Sequence, residues 1–230
     1  MNIYIAPIDT AYELASDLTS KWQLLASKYS PNRKKTFLAG RALLQKALQQ
    51  SYGVDTLPEI ISVEHEKPKF KDIHDIYFNL SHSAKHIVLS VGQGNQGIDL
   101  EFVKTRHGFD ALKEKVLSKE EITVFSHYSD SLQLDTFTSL WTVREALLKT
   151  SGVGLVGLSR IALDLNRHQI RCEDNSHGFI HTCKFNSLID AGPSYLSYFV
   201  DSVEPCFYTL KERLFHKIEK PSKIEIFQIN

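Results

Sequence analysis

A short apolar segment interrupted by two acids, residues 97–103, constrains the fold of this chain more than any other feature. Within it, Asp99 and Glu101 stand two residues apart. In a β-strand such residues point to the same face, which would place the two carboxylates side by side. Neighbouring carboxylates repel each other, so a cation or a basic group must lie beside them. Solvation of both acids is the alternative, but the apolar residues that flank each acid disfavour it.

A helical segment from Trp141 to Lys149 supplies a third carboxylate. Trp141, Glu145 and Lys149 occupy every fourth position and therefore lie on one stripe of the helix. Glu145 is either a solvated residue paired with Lys149, which is worth roughly 0.2–0.5 kcal/mol, or a further ligand for a cation beside Asp99 and Glu101. Mg²⁺ is a hard cation that prefers oxygen ligands and acts on phosphates. The three acids are therefore a candidate Mg²⁺ site.

The order of strand-like and helical segments predicts an α+β fold. The weakly alternating start, residues 2–8, is expected to be an edge strand, and Ser30-Pro31 opens a long helix. Strands follow this helix, and the second part of the chain begins with helices and ends with strands. Because the mixture of helix and strand occurs twice, the pattern favours two domains, residues 1–103 and 104–230.

Five short motifs follow one another along residues 30–160. They are Ala39-Gly40-Arg41, Lys67-Pro68-Lys69-Phe70, Asn79-Leu80-Ser81-His82-Ser83, Gly97-Ile98-Asp99-Leu100-Glu101 and Trp141-Thr142-Val143-Arg144-Glu145-Ala146-Leu147-Leu148-Lys149. In this order and at this spacing they resemble the 4'-phosphopantetheinyl transferases, most closely the single-chain, two-domain type that activates surfactin synthetase. Each motif alone is unspecific, and their order makes the resemblance specific.

The resemblance implies two similar α+β halves related by a pseudo-twofold axis, with the active site at their interface. It also implies an enzyme that transfers 4'-phosphopantetheine from coenzyme A to a serine of an apo acyl or peptidyl carrier protein, with Mg²⁺ as cofactor and 3',5'-ADP as product. In such an enzyme Asp99, Glu101 and Glu145 bind the metal, Glu145 takes the serine proton directly or through a metal-bound water, and Lys149 stabilises or protonates the leaving group. The coenzyme A contacts it implies are Arg41, Lys67, Ser81, His82, Arg144 and Lys149.

Two positions depart from the family's pattern. Glu66 stands before Lys67, where the family often has glycine, and Arg144 stands where lysine is more common. Arginine keeps the charge and can bind two phosphate oxygens at once. Glu121 has two interpretations, because it forms a predicted capping box with Ser118 and also lies where a family glutamate is sometimes given a catalytic part.

Two other functions are compatible with these acids. A Mg²⁺-dependent nuclease or phosphohydrolase uses similar acids, but Val103 stands where the common nuclease pattern has lysine. The formal net charge of +0 also argues against nonspecific binding of nucleic acid. A non-catalytic carrier-binding protein of the same fold is expected to have lost an acid, whereas all three acids and Lys149 are present.

Composition points to a cytoplasmic protein that does not enter a membrane. The chain is 42% hydrophobic and 23% charged, and no apolar run reaches the ~18–20 residues of a membrane span. No secretion signal is evident at the start, and the three cysteines lack C-x-x-C spacing. We expect a monomer. Its basic segment, residues 104–119, is either a docking surface for an acidic carrier protein or a solvated amphipathic helix.

Overall fold

The structure is a computed structural model that describes residues 1–63, 66–173, 177–186 and 192–230; of residues 223 and 224 it describes the backbone alone. Helices and strands are mixed along the chain, which confirms the α+β class. The helices are α1 (Ile8–Glu13), α2 (Ser20–Ala26), α3 (Pro31–Tyr52), α4 (Phe109–Val116), α5 (Lys119–Phe125) and α6 (Asp130–Ser151), with 3-10 helices at Leu14–Asp17 and Gly154–Arg160. The strands are β1 (Asn2–Pro7), β2 (Ile60–Ile61), β3 (Lys69–Phe70), β4 (Tyr77–Ser83), β5 (His86–Gly92), β6 (Ile98–Phe102), β7 (Ile161–Asp164), β8 (Gln169–Cys172), β9 (Gly178–Phe185), β10 (Ser194–Val200), β11 (Cys206–Lys211), β12 (Leu214–Ile218) and β13 (Lys223–Ile229).

The chain divides into two compact units, each built from segments that are distant in sequence. The sequence-based division falls after residue 103, whereas β6 lies in the second unit and the β11–β12 hairpin lies in the first. This division does not show whether the two halves have similar folds, so their similarity stays a prediction. The first unit comprises Met1–Val63, Pro68–Gly94 and Glu204–Lys220, and the second comprises Glu64–Lys67, Asn95–Val203 and Pro221–Asn230.

The first unit contains a five-stranded sheet with the strand order β12-β11-β1-β5-β4. β1 lies in the centre of this sheet, antiparallel to β5 and parallel to β11. The expectation of an edge strand at residues 2–8 is therefore wrong. The strand on the other side of β1, β11, comes from the far end of the chain. A pairing over that distance leaves no signal in the local sequence.

The long helix α3 packs against this sheet. It begins at Pro31 in the first turn, where the missing N–H of proline costs nothing, and it ends at Gly53, whose φ of 66° is a left-handed helix cap. Leu44 and Leu48 of α3 are fully buried and share a core with Leu89 of β5. Burial of this apolar stripe fixes α3, and with it Arg41, on the sheet.

The second unit contains a six-stranded sheet with the strand order β6-β10-β9-β13-β8-β7. α6 packs against β6, β10 and β9. Leu147 of α6 shares an apolar core with Ile180, Phe199 and Phe227 of the sheet. β6, the strand predicted to carry two site acids, is thus held between one neighbouring strand and α6.

In the described part of the chain, none of the helices has both the length and the apolar character that a membrane span needs.

Candidate active site

Asp99 and Glu101 lie on β6, on the face of the sheet that meets α6. In the antiparallel pairing of β6 with β10, Asp99 stands opposite Ser197, and Glu101 stands opposite Tyr195. Residues directly opposite each other share a face of the sheet. Ser197 Oγ lies 2.8 Å from Thr142 Oγ1 of α6, which identifies this face as the one that α6 covers. Both carboxylates therefore lie on the helix side of the strand.

The stripe predicted on α6 is present. Trp141, Glu145 and Lys149 are partly exposed, while the residues between them are buried. Lys149 Nζ donates a hydrogen bond to Asp99 Oδ1 at 2.6 Å, and Asp99 is only 3% exposed. This ion pair joins the helix to the strand and brings two of the predicted site residues into contact.

Glu101 is paired with Arg106, which the sequence pattern did not assign to the catalytic groups. Arg106 Nη2 lies 3.3 Å from Glu101 Oε2. The Arg106 guanidinium also lies over the indole ring of Trp141, 5.9 Å from its centroid. An arginine a few residues after a strand carries no specific sequence signal, so only the fold reveals this pairing.

Glu145 lies close enough to the other two acids to be affected by their charge. Burial, and then the charge of Asp99, raise the pKa of the Glu145 carboxyl above its ordinary value. Lys149 opposes this rise, and Glu101 adds the smallest increase. Three carboxylates therefore share one region, in which a bound cation would relieve their mutual repulsion.

The three acids suit Mg²⁺ chemically, because all of their donor atoms are hard oxygens. Among the residues that the structure describes, however, no three His, Cys, Asp or Glu side chains converge as a metal site requires. Asp99 and Glu101 are balanced instead by Lys149 and Arg106. The carboxylate oxygens are donor atoms of the kind that Mg²⁺ binds. That Asp99, Glu101 and Glu145 bind Mg²⁺ stays a prediction.

Arg144 lies on the buried side of α6. Its side chain has no exposed surface, and its Nη2 lies 2.6 Å from both carboxylate oxygens of Glu121. Successive residues of a helix are about 100° apart, so Arg144 and Glu145 face different surroundings. A guanidinium without exposed surface cannot meet a ligand, and the predicted contact of Arg144 with coenzyme A has no support in this geometry.

Glu121 acts as a helix cap. The backbone N–H of Ser118 donates to Glu121 Oε2 at 2.6 Å, and the N–H of Glu121 donates to Ser118 Oγ at 3.2 Å. These two bonds form the predicted capping box at the start of α5. The same carboxylate pairs with Arg144 and is 1% exposed, so the structure favours the structural interpretation of Glu121.

Lys67 contacts the backbone of the second unit. Its Nζ donates hydrogen bonds to the carbonyl oxygens of Gln96 at 2.7 Å and Thr150 at 2.9 Å. Burial lowers the pKa of Lys67 to about 8. The ammonium group predicted to contact coenzyme A is thus already bonded to two carbonyl groups.

Arg41, Ser81 and His82 line one cavity of about 650 Å³ in the first unit. The Arg41 guanidinium lies over the rings of Phe37 and Trp22, at 4.8 and 5.5 Å from their centroids. Burial lowers the pKa of Arg41 to about 10, which still leaves it cationic at neutral pH. These three predicted residues are therefore brought together, around a space with a positive charge at its wall.

Arg33 lines the same cavity, although it was not among the predicted residues. Arg33, Phe37 and Arg41 occupy every fourth position of α3 and so share one face of the helix. That spacing is a signal from which Arg33 could have been found. Two arginines and the exposed His82 give this cavity the groups that bind an anion.

The basic segment at residues 104–119 contains lysines of two kinds. Lys113 Nζ lies 2.8 Å from both Gln133 Oε1 and Asp110 Oδ1, so it is held within the second unit. Lys104, Lys115 and Lys119 are exposed. These three lysines, and not Lys113, are therefore suited to meet an acidic partner.

Residues 96–196 match the family model of the 4'-phosphopantetheinyl transferase superfamily. A protein of Haemophilus influenzae provisionally named a 4'-phosphopantetheinyl transferase is 34% identical over 183 residues, which cover 76% of this chain and 72% of that protein. The 4'-phosphopantetheinyl transferase AcpT of Escherichia coli strain K12 is 36% identical over 121 residues, 52% of this chain and 59% of AcpT. A 4'-phosphopantetheinyl transferase of Bacillus subtilis is 30% identical over 141 residues, 61% of this chain and 59% of that protein.

The matched region contains Asp99 and Glu101 of β6 and Glu145 and Lys149 of α6, and Lys149 pairs with Asp99. The Haemophilus influenzae relative extends the similarity over most of both chains, whereas the alignments with the other two relatives span 59% of each of those proteins. On this similarity, the chain belongs to the 4'-phosphopantetheinyl transferase superfamily.

Proposed function

We propose that this chain transfers the 4'-phosphopantetheine group of coenzyme A to a serine of an apo acyl or peptidyl carrier protein, with Mg²⁺ and with release of 3',5'-ADP. The observation that carries the proposal is the Asp99–Lys149 ion pair between β6 and α6, with Glu145 near enough for the charges of Asp99 and Glu101 to act on it, in a member of this family. Acids that suit a cation, with a lysine beside them, are groups that phosphoryl-type transfer uses.

Mg²⁺ would be held by Asp99, Glu101 and Glu145. When bound, the ion supplies positive charge against the diphosphate of coenzyme A. Lys149 and Arg106 balance two of these acids in the structure. Once the acids bind a cation, both basic side chains would be placed to contact phosphate oxygens.

The carrier serine Oγ forms a bond to the β-phosphorus of coenzyme A, and the bond from that phosphorus to the bridging oxygen breaks. Glu145 accepts the serine proton, directly or through a water, since its burial raises the pKa of its carboxyl and makes the carboxylate a stronger base. Lys149 stabilises the charge on the departing 3',5'-ADP. The products are the phosphopantetheinylated serine and 3',5'-ADP, so every atom of coenzyme A is accounted for.

The cavity of the first unit is proposed to bind the 3'-phosphate of coenzyme A. Arg41 is cationic there, and the exposed imidazole of His82 lines the same cavity, where it can donate a hydrogen bond to a phosphate oxygen. That the two halves are similar, are related by a pseudo-twofold axis and share one active site is implied by the family resemblance and stays a prediction.

The test is intact-mass analysis of purified apo acyl and apo peptidyl carrier proteins after incubation with the chain, coenzyme A and Mg²⁺. A mass increase of one phosphopantetheine group is expected, and the carrier that gains it is the client. Asp99→Ala should abolish the increase. Asp201→Ala is the matched control, because Asp201 is exposed and lies outside the basic segment, and it should leave the increase unchanged.

Other outcomes would replace the proposal. Release of 3',5'-ADP without any gain of mass on a carrier would favour a phosphohydrolase. A carrier that binds the chain but stays unmodified, with coenzyme A intact, would favour the non-catalytic carrier-binding alternative.

A further inference from the structure

The ammonium group of Lys67 joins two segments of the second unit that are far apart in sequence. It donates to the carbonyl oxygen of Gln96, two residues before β6 begins, and to that of Thr150, in the last turn of α6. Thr150 directly follows Lys149, and Gln96 lies three residues before Asp99. The Lys67 side chain is therefore bonded to backbone that lies within three residues of each partner of the Asp99–Lys149 ion pair.

Two glycines show how closely these segments pack. A Cβ at Gly97 would overlap both Thr150 Oγ1 and the Ala146 carbonyl oxygen, so the start of β6 touches the last turns of α6 without spare room. Gly152 caps α6 with a φ of 84°, and a Cβ there would lie 2.7 Å from Lys67 Cγ. The aliphatic part of Lys67 thus packs on the end of α6, while its ammonium group bonds to the backbone before β6 and to the last turn of α6.

The charge of Lys67 suits its position. The last carbonyl groups of a helix have no partner within the helix, and they carry the negative end of its dipole. A cation at this end satisfies the Thr150 carbonyl and interacts favourably with the dipole. A second bond to Gln96 then ties the strand to the same point.

We infer that Lys67 is a positioning residue of the proposed reaction. It fixes the start of β6 against the end of α6, and thereby sets where Asp99 lies relative to Glu145 and Lys149. This inference rests on the proposed function, and it differs from the role that the family resemblance implies, a direct contact with coenzyme A.

Lys67→Met tests the inference, because methionine keeps much of the stem and removes the ammonium group. The control is Lys71→Met, which removes the same charge from an exposed lysine that pairs with Glu59. Three quantities are measured: amide hydrogen exchange of the protein without ligand, the affinity for coenzyme A by calorimetry, and kcat for carrier modification. Lys67→Gln is the second variant if Lys67→Met does not fold, since its shorter side chain lets water reach both carbonyl groups.

Lys67→Met is expected to lose exchange protection in residues 95–102 and 146–153 alone. Because a shift of about 1 Å in a reacting group can cost about 100-fold, kcat should fall on the order of 10- to 100-fold, with the Kd for coenzyme A within about twofold of wild type. Lys71→Met should match the wild type in all three.

The opposite pattern would overturn the inference. If Lys67 binds the ligand directly, the Kd for coenzyme A should rise on the order of tenfold or more, with exchange protection unchanged in both segments. Wild-type protein that modifies no carrier would refute the proposed function instead. The exchange measurement would still decide whether Lys67 holds the strand against the helix.

Discussion

The buried pair of Arg144 and Glu121 allows a prediction that separates a structural role from a ligand-binding one. Arg144 Nη2 lies 2.6 Å from both oxygens of Glu121, and the two side chains are 0% and 1% exposed. Arg144→Met leaves the Glu121 carboxylate buried, with the Ser118 N–H among its remaining partners. Breaking a buried ion pair on one side costs about 3–5 kcal/mol, because an uncompensated charge is left in a poorly solvated place.

The double variant sharpens this prediction. Glu121→Gln alone leaves the guanidinium buried without its counter-charge, and it should also destabilise the protein by about 3–5 kcal/mol. In Arg144→Met combined with Glu121→Gln both charges are gone, so the cost should fall short of the sum of the single changes by about 2–3 kcal/mol. Arg167→Met is the control, since the Arg167 side chain is 76% exposed, and it should cost less than about 0.5 kcal/mol.

Urea unfolding followed by circular dichroism and by tryptophan fluorescence measures these costs. Trp22 lies in the first unit and Trp141 in the second, so coincident transitions would support a two-state treatment. At roughly 2–4 °C per kcal/mol for a chain of this size, either single variant should lose about 6–20 °C in Tm. The reasoning is refuted if Arg144→Met changes the unfolding free energy by less than about 1 kcal/mol and weakens coenzyme A binding on the order of tenfold. Arg144 would then bind phosphate, as the resemblance implies.

Three further predictions concern the proposed reaction. Asp99→Ala and Glu145→Ala should each abolish transfer with an unchanged circular dichroism spectrum, and near-wild-type turnover by either at ordinary Mg²⁺ would refute the metal assignment. Coenzyme A should bind more tightly than its 3'-dephospho form by about 1.5–3 kcal/mol in calorimetry, and His82→Ala should reduce that difference. Equal affinities of the wild type for the two ligands would refute the proposal that the first-unit cavity binds the 3'-phosphate. Lys115→Glu combined with Lys119→Glu should raise the KM for the carrier most at low salt and leave the affinity for coenzyme A unchanged. An unaltered KM at low salt would show that the carrier docks on a surface other than residues 104–119.

Local signals in the sequence predicted local structure well. The Ser118 and Glu121 capping box forms with both of its hydrogen bonds, and α3 begins at the predicted proline. The stripe of Trp141, Glu145 and Lys149 is present because helical spacing alone decides which residues share a face. The family identification is confirmed too, since the order of several motifs carries more information than any one of them.

The wrong expectation for β1 and the unforeseen surroundings of Lys67 and Arg144 have physical reasons. The position of β1 depends on β11, which lies too far away in sequence to leave a local pattern. Lys67 bonds to backbone carbonyl groups, which every residue possesses and which no motif records. The environment of Arg144 could have been anticipated, because a residue adjacent to Glu145 in a helix points about 100° away from it.

The late position of β11 and β12 in the chain affects protein synthesis. Ribosomes add about 5–20 residues per second, so the roughly 110 residues between Gly92 and Cys206 take about 6–23 s to emerge. Until then β1 can pair with β5 on one side only, and its other edge presents unpaired backbone groups to chaperones or to other nascent chains. A ribosome-bound chain arrested before Cys206 should therefore be cleaved by protease within its first strand more readily than one whose β12 has left the exit tunnel.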